Sequence, residues 1–242
     1  MTEEMASLAQ HLMSDLELTR APVQISYLDE PPHGIAKHAG TAPSVCTYFA
    51  EGEKKPFYVD LKDHEACEIG AFVLGIAPEG DVGKRLMDTV GMMQREGYLA
   101  PGDEAKIPRN EKAPRYVAYG PLGSLPTEPT NVLMFAKAKS IMLAMEAAPG
   151  GVPVNGRPMC SLVPTLNKGT AVAMSVGCIG SRVFTGIGDG EMLLGVRGDH
   201  LKTFAQSVRK IRHANDLVGA EDEKRKAAAA KATHPSGGGT SR

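Results

Sequence analysis

The chain has no tryptophan, six tyrosines, six phenylalanines and only four cysteines, and no apolar run approaches the roughly 18 residues that span a bilayer. The missing run argues against a transmembrane helix. The acidic opening Met1-Thr-Glu-Glu-Met5 is unlike the basic start of a secretory leader, so the expected location is cytoplasmic, with no membrane partner. Charge of one sign is also missing: 27 basic against 28 acidic residues leave a net charge of −1, and no predicted helix carries a basic stripe. Nucleic acid is therefore not the expected partner. Several catalytic signatures are absent. Gly186-Ile-Gly-Asp-Gly190 lacks the Lys-Ser/Thr of a phosphate loop, no Gly-x-Gly-x-x-Gly joins a strand to a helix, and neither Gly-x-Ser-x-Gly nor His-Glu-x-x-His occurs. At 242 residues the chain can bury a core without disulfides or a structural metal. Where thiols are kept reduced, four cysteines are ligands, reactive thiols or small buried apolar residues.

What is present is a repeat. The stretch Ala171 to Ile187 around Cys178 has a counterpart in Phe57 to Ile76 around Cys67; each is a β-prone run followed by Cys-x7-Gly-Ile. A second cysteine precedes each copy, Cys46 after Pro43 and Cys160 after Pro158, both just before a hydroxyl residue. All four cysteines thus form two like-spaced pairs, 46 with 67 and 160 with 178. The pattern predicts two similar halves, about 20–98 and 115–216, related by a pseudo-twofold within one domain, 1–218. A charged, then Ala/Lys-rich tail, 219–242, is expected to be disordered or a frayed helix.

In chain order, apolar periodicity predicts a helix over 2–18 and a strand over 23–28, then a proline-rich loop, 29–44, that holds His33 and His38. A helix from near Pro43 to Gly52 places Cys46 in its first turn. A strand over 56–61 leads to a helix starting at Cys67, and a clear helix follows over 82–96 with Asp81 as its cap. The polar segment 100–113 reads as a connector. Strands are predicted at 115–120, 131–135, 170–176 and 191–196. Helices are predicted over 136–147, with Ile141, Met142 and Met145 as a buried stripe, and over 199–216, with His200 facing solvent. Because strands and helices mix without regular alternation, the expected class is α+β, a mixed sheet with flanking helices.

Gly177-Cys-Ile-Gly-Ser-Arg182 followed by Gly190-Glu-Met-Leu-Leu-Gly-Val196 is similar to the Gly-Cys-x-Gly-x-Arg and later Glu-Met-x-x-Gly-Ile/Val of an uncharacterised bacterial and archaeal family. This is domain-of-unknown-function family 169, also labelled ArCR, which the chain resembles over roughly residues 8–213. Cys46, Cys67 and Cys160 fall where the family also tends to place cysteine. Many relatives carry a second cysteine where this chain has Ser181. The resemblance implies no activity.

Three readings of the cysteines follow. Cys46, Cys67, Cys160 and Cys178 could converge at the seam between the halves on zinc or an iron–sulfur cluster, although no Cys-x2-Cys pair is present. Alternatively, Cys67 and Cys178, each at a predicted helix start, are acidified by the helix dipole and serve a metal-free enzyme acting on a small anionic substrate. Arg182 would then stabilise a thiolate or bind the substrate's carboxylate, against a plainer role in a surface ion pair. His64, three residues before Cys67, is a base in that reading and otherwise an exposed loop residue. The third reading packs the cysteines in the core of a ligand-binding or scaffold protein.

Overall fold

A computed structural model describes residues 2–77, 79–154 and 158–233. The order of elements is α1 (Thr2–Asp15), β1 (Val23–Leu28), α2 (Val45–Gly52), β2 (Phe57–Asp60), α3 (Glu68–Val73), α4 (Gly80–Arg95), β3 (Tyr116–Pro121), β4 (Asn131–Lys137), α5 (Ala138–Ala147), β5 (Val152–Pro153), α6 (Leu162–Asn167), β6 (Val172–Ser175), α7 (Ile179–Phe184), β7 (Glu191–Arg197) and α8 (Leu201–Thr233). A 3₁₀ turn, Met159–Ser161, leads into α6. The sequence Val154-Asn-Gly-Arg157, which reads as a turn, lies largely outside the described residues.

The seven strands form one sheet in the order β2-β3-β1-β4-β7-β6-β5, antiparallel except for the β5·β6 pair. The class is α+β with a mixed sheet, as the sequence pattern implies. At the centre, Val23 of β1 faces Leu133 of β4. In β4 every residue from Asn131 to Ala136 is buried, because both faces of the strand are covered. Leu133 and Phe135 join a core shared with α2, α6 and the 3₁₀ turn. Val132, Met134 and Ala136 join a second core under α1, α5 and α8. The sheet is thus the middle of three layers.

Local departures from the expected pattern have physical causes. Helix α1 stops at Asp15, and Glu17 turns the chain with a φ of 53°, yet Leu16 and Leu18 remain buried. In α4 the N-cap is Glu79 without a side-chain cap bond, and Asp81 sits in the first turn instead. Met142 is exposed on α5, whose buried face is Ser140, Ile141, Leu143 and Ala144. Helix α8 runs past 216 to Thr233, about 50 Å at 1.5 Å per residue, with residues 216–230 exposed to solvent. That segment is rich in strong helix formers and carries the i,i+4 pairs Glu221–Arg225 and Asp222–Lys226. Among the described residues no helix is long and apolar enough to cross a membrane.

Two glycines set the packing under the site. A Cβ at Gly195 of β7 would overlap Leu162 Cδ2 and stand 2.8 Å from Leu166 Cδ1, so α6 lies directly on β7 only because no side chain intervenes. A Cβ at Gly70 would collide with Val45, which keeps α3 close against α2.

Candidate functional site

All four cysteines are free thiols, and all four line a single cavity of about 280 Å³ on the α2/α3/α6/α7 side of the sheet. Each is placed by local structure. Ser44 caps α2 by accepting the Thr47 N–H, which sets Cys46 as the helix's second residue. Cys160 sits in the 3₁₀ turn before α6. Cys67 and Cys178 are themselves N-caps of α3 and α7. Cys67 Sγ accepts the Gly70 N–H at 3.3 Å and also the Val45 N–H. Cys178 Sγ accepts the Ser181 N–H at 3.4 Å, and Ser181 Oγ accepts the Cys178 N–H at 2.8 Å, closing a reciprocal cap. The hydroxyl of Ser181 thus fulfils a structural task in the first turn of α7.

The electrostatics of the thiols differ from expectation. Burial pushes the Cys67 thiol up to about 11, and the two backbone N–H donors do not offset it. The dipole of α3 therefore does not make Cys67 acidic. Cys46 and Cys160 are both buried, and the neighbouring Cys46 thiol, together with burial, holds the Cys160 thiol well above its usual range.

The rest of the cavity wall is mostly apolar: Val90 and Met93 of α4, Leu99, Ile107 and Phe184. Among the described residues Glu68 is the one carboxylate on the wall, and its Oε1 accepts the Thr89 hydroxyl at 2.7 Å. No lysine or arginine among the described residues lines it. The connector 100–113 contributes Ile107 and is pinned beside the cavity by buried Asn110, whose N–H donates to Val73 O at 2.9 Å and whose Nδ2 donates to Tyr27 Oη at 3.0 Å. Glu68 and Ile107 were not among the sequence candidates. An apolar residue isolated in a polar stretch was the available signal for Ile107.

The four-thiolate metal set is not assembled as a ligand shell. Among the described residues no group of three or more His, Cys, Asp or Glu side chains is arranged to hold a metal ion. Cys46, Cys67, Cys160 and Cys178 share a cavity but do not make up such a group, so no step is assigned to zinc or to an iron–sulfur cluster.

Arg182 does not line the cavity. Its Nη1 donates to Gly188 O at 2.6 Å, and its Nη2 donates to Val176 O at 2.6 Å and Glu191 O at 2.9 Å. The guanidinium is thereby committed to backbone carbonyls that frame α7 and the loop to β7. The same loop is held from below by Arg20, which donates bidentately to Glu53 (2.6 and 3.0 Å) and to Glu191 at 3.3 Å while lying 3.7 Å over the Phe135 ring. His64 is buried rather than exposed. Its Nδ1–H donates to Asp60 O at 2.9 Å, and its Nε2 lies 3.2 Å from the Tyr119 hydroxyl, so both ring nitrogens are engaged away from the cavity wall, which His64 does not line, and the ring is not placed as a base for the thiols. His38 bonds Glu51 at 2.6 Å, and its N–H donates to Tyr58 O, which fastens the 29–44 loop along the β2 edge.

No curated protein and no solved structure matches the chain. A family model does match, over residues 11–207, and by that match the chain belongs to domain-of-unknown-function family 169, the uncharacterised ArCR proteins.

Proposed function

We propose that this protein binds a small, predominantly apolar molecule in the four-cysteine cavity, with the Glu68 carboxylate fixing a hydrogen-bond-donating or cationic group at one end. The observation that carries this reading is the enclosure of about 280 Å³ by apolar side chains and four free thiols with, among the described residues, a single carboxylate. The same wall argues against a small anionic substrate: Arg182 is engaged by three carbonyls, and the described wall residues offer Glu68 where an anion would need a cation.

The strand order supports a duplication in this reading. From the pair β1·β4 outward it runs β1, β3, β2 on one side and β4, β7, β6 on the other, with the two-residue β5 added outside β6. Cys46 and Cys160 precede β2 and β6, while Cys67 and Cys178 follow them. Two ancestral half-units would each supply two sulfurs to a shared cavity. Fragments 1–125 and 126–242 are expected to reassemble on co-expression, and two persistently unfolded fragments would count against the duplication.

The test of the cavity's role is anaerobic purification, denaturing extraction and mass spectrometry of released small molecules, with metal analysis of the same sample. A co-purifying apolar compound that is lost in Met93→Trp supports the reading. Stoichiometric zinc, or iron with sulfide, would overturn it, as would failure to bind any member of a library of uncharged apolar compounds.

A further inference from the structure

We infer that Cys46 and Cys160 form a dithiol–disulfide couple in the floor of the cavity, which exchanges with small uncharged disulfides entering from solvent. The inference deepens the proposed function, since it rests on the cavity admitting a small molecule. Three observations meet at this pair. The two thiols belong to one buried core cluster, where Cys46 lies near enough to Cys160 to perturb its thiol. Both line the same cavity although both are buried, so a molecule inside it reaches them without unfolding. They are carried by different parts of the chain, α2 and the 3₁₀ turn before α6, which pack against each other across the cavity floor.

Packing alone does not explain the arrangement. A buried thiol is an adequate small apolar residue, but two on neighbouring elements of one cavity wall form a pair in which a first sulfur attacks an incoming disulfide and a second resolves it. One protein thiol loses its proton to solvent and attacks the substrate R–S–S–R; a protein–substrate disulfide forms, and RS⁻ leaves and takes up a proton. The second protein sulfur then attacks the first, forming the Cys46–Cys160 bond and expelling the other half as RSH. In sum, two protein thiols and R–S–S–R become one protein disulfide and two RSH. The substrate is the oxidant, and no further electron acceptor is required.

The cavity's charge selects among disulfides. With Glu68 on the wall and no lysine or arginine among the described residues that line it, an anionic disulfide meets a like charge, whereas an uncharged one meets apolar side chains.

The reduced full-length protein is treated anaerobically with 2-hydroxyethyl disulfide or, separately, with glutathione disulfide, then quenched and digested without reduction. The expected product is one intramolecular disulfide joining the Cys46 and Cys160 peptides, with two of the four thiols lost. It should form about tenfold faster with the uncharged reagent. Cys46→Ser and Cys160→Ser should each stop at a mixed disulfide, whereas Cys67→Ser should still give the cross-link. If the wild-type chain yields only mixed disulfides, or a bond to Cys67 or Cys178, the inference is wrong. That wild-type readout does not depend on any variant folding. Nile red binding by the reduced protein is measured in parallel. Dye binding without the cross-link removes the couple and leaves the cavity reading standing; the cross-link without dye binding does the reverse.

Discussion

Protonation of His64 should cost the fold a defined amount in a defined pH window. The imidazole is 2% exposed, and burial lowers it from the ordinary 6.5 to about 4. Its tautomer follows from its partners: Asp60 O accepts only, so Nδ1 carries the proton, and Nε2 accepts from the Tyr119 hydroxyl. Because the folded value is depressed, the unfolded chain binds more protons between about pH 4 and 6.5. Stability from this group is complete above about 6.5, declines as pH falls through that window and levels off below about 4. The whole gap is worth about 3 kcal/mol, of which about 2 kcal/mol is lost between pH 7.5 and pH 5. Urea denaturation at several pH values measures the slope, and His64→Gln serves as the reference because an amide still donates to Asp60 and accepts from Tyr119 without titrating. The difference between the two slopes isolates His64 from the other six histidines. The variant should be less stable at pH 7.5 and flatter toward pH 5; parallel curves for the two proteins would refute the assignment.

Further outcomes follow from the same geometry. Phe184→Trp places the chain's only tryptophan at the cavity mouth, and its emission should be quenched saturably by Nile red; an emission indifferent to the dye would place the binding elsewhere. Gly195→Ala forces a methyl into Leu162 and Leu166 and should cost roughly 1–3 kcal/mol in urea denaturation, so an unchanged midpoint would show that α6 does not depend on that close approach. Arg182→Lys should accelerate amide exchange over 185–191 nearly as much as Arg182→Ala, because an ammonium cannot span three carbonyls with a planar fork; full rescue by lysine would contradict the clamp.

What could be read from the sequence was whatever repeats at the period of its own element. The apolar run of β4 and the Leu201, Phe204 and Val208 face of α8 are legible because a residue's neighbours along the chain report its side. The paired cysteines were legible as a site for the same reason, being similar strings at similar spacing. Their arrangement was not, since whether four sulfurs surround a point or merely line a wall depends on angles between helices from distant segments. Arg182 shows the limit most plainly. Its partners are backbone carbonyls, a group every residue carries, so no letter in the sequence marks them. His64 looked exposed because Lys62, Asp63 and Glu65 surround it in sequence, but a 3₁₀ turn sends it inward while its neighbours face out.

The sulfur caps of α3 and α7 bear on how this protein can be handled chemically. A thioether or mixed disulfide at Cys178 or Cys67 is a bulkier and poorer acceptor for the N–H of Ser181 or Gly70, so a reagent that tags the thiol also loosens the first turn of the helix behind it. Counting thiols by exhaustive alkylation would therefore reshape the surface being mapped. Accessibility is better read from initial rates at a few per cent modification, and a cavity blocked by maleimide would report a melted helix turn as much as an occupied chamber.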